Sequence, residues 1–94
     1  MSMKTKKELE RFLTILELQE MMIPMIFPFK KSFIRSVIRF IRKCIYDMGE
    51  EFINLEELQK KIDAEIYPLI VTGNLTRWQT DWIVRVMDYL SYLE

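Results

Sequence analysis

The chain has 94 residues, half of them hydrophobic and 30% charged, with 14 basic and 14 acidic side chains. That composition excludes a disordered chain, which lacks the apolar surface to offset its ordering entropy, and the zero net charge gives no global attraction for a polyanion. One cysteine, two glycines and no histidine exclude an intramolecular disulfide, thiolate or imidazole zinc sites, and glycine-rich phosphate loops.

The charge is unevenly distributed along the chain. Residues 30–46 carry six positive side chains and none negative, whereas residues 47–67 carry seven negative and two positive. Such a protein is neutral overall and dipolar locally.

The first predicted helix runs from about Thr5 to Ile23. Thr5 with Glu8 three residues on is a capping box, in which each side chain satisfies an otherwise unpaired amide. Leu9, Phe12, Leu13, Leu16 and Ile23 share one side, which Glu20 interrupts, while Ile15, Leu18 and Met22 form a second patch. Apolar residues on two sides imply contact with more than one surface. Pro24 ends the helix, and Pro28 is expected to hold Met25-Ile26-Phe27 extended. The charge-free run from Met21 to Phe29 is about half a membrane span.

The second helix, Lys31 to Met48, has the clearest pattern. Phe33, Ile34, Val37, Ile38, Ile41, Cys44 and Ile45 belong to an apolar arc of about 160°. Lys31, Arg35, Arg39, Arg42 and Lys43 fall within about 120° on the other side. Gly49 is a natural helix terminator. Cys44 sits on the apolar arc and reads as a buried, inert thiol.

The third helix begins at Asn54, with Glu57 in the capping position, and is expected to end near Ile66 before Pro68. Its narrow stripe of Leu55, Leu58, Ile62 and Ile66 marks it as peripheral, with an acidic side in water. The stretch Leu69 to Leu75 is either an extended loop or one arm of a short hairpin turning at Gly73-Asn74. The fourth helix opens with a second capping pair, Thr76 and Gln79, and runs to Leu93. Its apolar residues span about 220°, more than one core contact needs. Trp78, Trp82 and Tyr89 cluster within about 40° of one another.

The expected fold is therefore all-α: one small four-helix domain over residues 1–94, with an open choice of a minor β-hairpin near residues 69–78. No catalytic, cofactor or metal site is expected. Without histidine the commonest general base is gone, and Glu50/Glu51 and Glu56/Glu57, as sequence neighbours, point in different directions. A helix-turn-helix reading of Ile53–Ile62 with the last helix fails on two counts. The connection from Tyr67 to Asn74 is too long, and Asp81 and Asp88 would face phosphates.

The function expected is a non-catalytic protein–protein interaction module, an adaptor, assembly factor or inhibitor, that forms a homodimer. Its interface residues would be Ile15, Leu18, Met22, Trp78, Trp82 and Tyr89. The alternative is a small nucleic-acid-binding regulator using Lys31, Arg35, Arg39, Arg42 and Lys43, whose ridge would equally suit an acidic protein partner. A third possibility is that this ridge is solvated and pairs with the acidic third helix. A membrane partner is not expected, because the apolar side of the basic helix is needed in the core. The charged start around Lys4 to Glu8 lacks a secretion-signal pattern, and with one free thiol the expected location is the cytoplasm.

Overall fold

The computed structural model describes residues 3–49 and 51–93, so Glu50 of the Glu50/Glu51 pair lies outside the described residues. In chain order the elements are β1 (Met3–Thr5), α1 (Lys6–Met22), α2 (Pro28–Asp47), β2 (Phe52–Asn54), α3 (Leu55–Val71) and α4 (Arg77–Ser91). Among the described residues the architecture is all-α, with one two-stranded antiparallel sheet pairing β1 with β2. The chain divides into two compact units, residues 4–53 and the residues from Asn54 onward with Met3.

In the first unit α1 packs on α2. Thr5 caps α1 by accepting from the Glu8 N–H at 3.2 Å. The buried face of α1 is Leu9, Phe12, Leu13, Leu16 and Glu20, and that of α2 is Lys31, Ile34, Val37, Ile38, Ile41, Cys44 and Ile45. Ile41 is fully buried, and truncating such a side chain to alanine costs about 2–5 kcal/mol.

The α1–α2 connection departs from the expectation of an extended segment. Phe27 N–H donates to the Pro24 carbonyl at 3.0 Å, which folds Met25 and Ile26 into a turn. Pro28 then opens α2, three residues before the expected start. A proline at the first helical position loses no hydrogen bond, and its fixed φ suits the helix. The residue before it, Phe27, is kept out of the helical region at φ −115° and ψ 63°.

In the second unit α3 packs on α4. Asn54 caps α3 through Oδ1, which accepts from the Glu56 and Glu57 N–H groups. The buried stripe of α3 is Leu55, Leu58, Ile62 and Ile66, as the sequence pattern predicts. The end of α3 is a correction. The helix passes through Pro68 and continues to Val71, so residues 69–78 form no hairpin. Pro68 lies in the last turn, where only a few residues follow and its ring faces solvent. Beyond it Gly73 adopts φ +71°, its N–H donates to the Ile70 carbonyl, and Asn74 N–H donates to the Leu69 carbonyl. That pair of bonds is a Schellman closure, and it satisfies carbonyls that a strand would have paired elsewhere. Gly73-Asn74, which resembles a hairpin turn, thus ends a helix. α4 begins with a complete capping box, in which Thr76 and Gln79 each bond the other's backbone N–H.

Candidate functional site

Three surfaces carry the residues that the sequence singles out, and each belongs to one unit.

On the first unit, the basic ridge of α2 is met by carboxylates of α1. Arg42 Nε lies 3.2 Å from Glu10 Oε1, and its NH2 group lies 2.6 Å from Glu17 Oε1. Lys31 and Arg35 both approach Glu20, at 3.6 and 2.8 Å from Oε1. High numbers on one helix meet low numbers on the other, so α1 and α2 run antiparallel. The partner of the ridge within its own unit is therefore α1. Glu10 and Glu17 are seven residues apart and share a flank of α1, so Arg42 meets both, while Arg35 meets Glu20. That shared flank is the signal by which sequence reading could have found the two acids of Arg42.

The ridge is not uniformly exposed. Lys31 is buried, and its Nζ also donates to the Glu20 carbonyl at 2.9 Å. Its long stem reaches back along apolar surface to deliver the ammonium to the end of α1. Arg42 is half-buried, and Glu10 and then Glu17, accepting its hydrogen bonds, raise its guanidinium further above the ordinary arginine value. Arg39 and Lys43 are exposed and have no ion pair among the described residues. Arg35, Arg39 and Arg42, with Glu17, Glu20, Met21 and Ile38, line an open cleft of about 340 Å³. Its walls alternate in sign. Glu20 Oε1 accepts no aligned hydrogen bond among the described residues despite its two cationic neighbours.

The second patch of α1 is where the sequence places it: Ile15, Leu18 and Met22 all face solvent.

On the second unit the aromatic cluster of α4 separates. Trp82 is buried in the core with Ile83, Val86 and Leu90, which corrects its assignment to an interface. Trp78 is half-buried, and Tyr89 is exposed. The reason is phase: the buried line of α4 passes through Val86, and Trp82, one turn away, lies close to it. The outward line instead carries Arg77, Asp81, Val84, Arg85, Asp88 and Tyr92. Between α3 and α4 an apolar cleft of about 160 Å³ is lined by Ile66, Ile70, Ile83, Val84 and Met87, with Asp63 and Asp88 at its edge.

Among the described residues no group of three or more Asp, Glu or Cys is arranged to hold a metal ion. No helix among them is long and apolar enough to cross a membrane. Comparison with protein-family models, with curated proteins and with solved structures yields no match.

Proposed function

We propose that the chain is a non-catalytic protein–protein interaction module of the cytoplasm that self-associates through the outer face of α3 and α4. One observation carries this reading. Tyr67 of α3 and Val84 of α4 line the apolar α3–α4 cleft and are exposed, and Tyr92 stands exposed on the same outward line of α4 as Val84. Single chains seldom leave an apolar surface of that kind uncovered, and tyrosine is enriched where proteins meet. The face also carries both charge signs, with Arg77 and Arg85 beside Asp81 and Asp88. A two-fold contact sets one patch against its own copy, so a face with both signs can satisfy itself. Trp82 has no part in this contact.

A nucleic-acid role for α2 has weaker support. Lys31, Arg35 and Arg42 are engaged by α1 carboxylates, which leaves Arg39 and Lys43 of the five ridge cations to meet phosphate.

Sedimentation equilibrium across micromolar concentrations tests the proposal. The wild-type chain is expected at the mass of two chains, and Val84→Arg with Tyr92→Asp at the mass of one. A wild-type mass of one chain throughout would overturn it.

A further inference from the structure

The turn between α1 and α2 and the solvent-facing side of α1 form a second apolar surface with a different character. Met21, Met22, Met25, Ile26 and Phe29 are 70%, 82%, 81%, 78% and 88% exposed. Side chains exposed to that degree pack neither on the helices nor on one another. They project singly.

Charge separates this surface from the α3–α4 face. The outward line of α1, opposite Leu9, Leu13 and Leu16, carries Leu18, Met21 and Met22 near the turn. Further back along the same line stand Lys7 and Arg11, both exposed and without an ion pair among the described residues. No carboxylate falls within about 60° of that line. Glu10 and Glu17 lie on the flank that meets Arg42. At the other end Lys30 stands over the Phe27 ring, 4.8 Å from its centroid. The sequence has no acidic residue from Met21 through Tyr46. The surface is thus apolar in the middle and cationic at both ends. Two copies joined through it would set cation against cation, whether parallel or antiparallel. An anionic sheet of headgroups over hydrocarbon is the complement it fits.

We infer that this surface docks on an anionic lipid membrane. Met25, Ile26 and Phe29 enter the interface, and Lys7, Arg11 and Lys30 lie against the headgroups. The contact is peripheral and is separate from the apolar side of α2, whose Ile34, Val37, Ile38 and Ile41 are taken up by the core. It does not depend on self-association through α4.

Vesicle flotation of the full chain tests the inference. The vesicles are phosphatidylcholine alone, or the same lipid with about a third phosphatidylserine. The chain is expected to float with the anionic vesicles and to be released by salt. Met25→Asp with Phe29→Asp should abolish flotation, and Arg11→Glu should weaken it about tenfold. All three positions are exposed, so far-UV circular dichroism and the melting temperature should match wild type. Three results would overturn the inference: no flotation with either vesicle, flotation that the variants leave unchanged, or a wild-type dimer that the Met25/Phe29 variant splits, which would give the surface to a second copy. Loss of the dimer in the Val84/Tyr92 variant with flotation retained would leave the lipid surface standing.

Discussion

Glu20 of α1 and Arg35 of α2 are unequal partners: their atoms approach to 2.8 Å, yet the carboxylate side chain is 10% exposed and the guanidinium side chain 59%. The buried acid relies on Lys31, which is as buried as Glu20 and touches both its carboxylate and its backbone carbonyl.

Glu20→Ala should therefore be expensive, because it strands the Lys31 ammonium in the α1–α2 seam. A loss of about 3 kcal/mol is expected, against less than about 1 kcal/mol for Arg35→Ala, which removes a cation that is already 59% exposed to water. Glu20→Leu combined with Lys31→Leu should recover most of the loss, since an apolar pair leaves no charge buried. Urea midpoints of the four chains check this. Equal losses for Glu20→Ala and Arg35→Ala would show that the buried acid depends on the exposed arginine.

The ridge cations should differ in the same assay. Arg42 joins Glu10 and Glu17, but its side chain is 37% exposed, so water screens both pairs. Arg42→Gln is expected to cost about 0.5–1 kcal/mol after that discount, and Arg39→Gln or Lys43→Gln less than about 0.5 kcal/mol. Added salt should narrow the gap. Identical midpoints for Arg42→Gln and Arg39→Gln at low salt would count against the pairing.

Gly73→Ala tests the end of α3. No atom stands within 4 Å of a β-carbon built there, so the whole penalty comes from φ +71°. A loss of about 1 kcal/mol is expected, with Gly73→Asn milder because asparagine tolerates the left-handed region. A neutral Gly73→Ala would mean that the Schellman closure is not the solution conformation.

Acid should expose the start of α1. The Glu8 carboxyl is held below its ordinary value of 4.5, first by the Thr5 backbone N–H and with help from Lys4, against a smaller opposing effect of desolvation. A carboxyl lowered in the folded chain contributes stability above its unfolded value, and loses that contribution as pH falls through the folded one. Glu8→Gln should thus flatten the acid limb of a stability profile from about pH 4.5 downward and change nothing in its slope near neutrality. An unchanged acid limb would remove Glu8 from the cap.

Apolar periodicity made much of this fold legible. The stripes Leu55-Leu58-Ile62-Ile66 and Ile34-Val37-Ile38-Ile41 are buried as their spacing requires, because a helix that hides one side needs apolar residues at those intervals. Boundaries at proline were not. Pro28 opens α2, where a first-turn N–H has no helical partner to lose, whereas Pro68 sits inside α3, which continues to Val71 despite the missing donor. Gly73-Asn74 suits a hairpin turn or a helix closure equally, and only the carbonyls of Leu69 and Ile70 decide between them. At the ridge, reading α2 alone left Lys31, Arg35 and Arg42 in solvent. Their neutralisation depends on a second helix, which no local pattern in α2 encodes.

The placement of the rare side chains has a practical consequence. The single thiol, Cys44, is buried on α2, while both tryptophans, Trp78 and Trp82, lie on α4. Each half of the chain therefore carries its own native reporter: alkylation of the thiol times the opening of the α1–α2 unit, and indole fluorescence follows the α3–α4 unit. Recorded on one wild-type sample through a single denaturant series, the two signals measure whether the halves melt as one cooperative body or in succession.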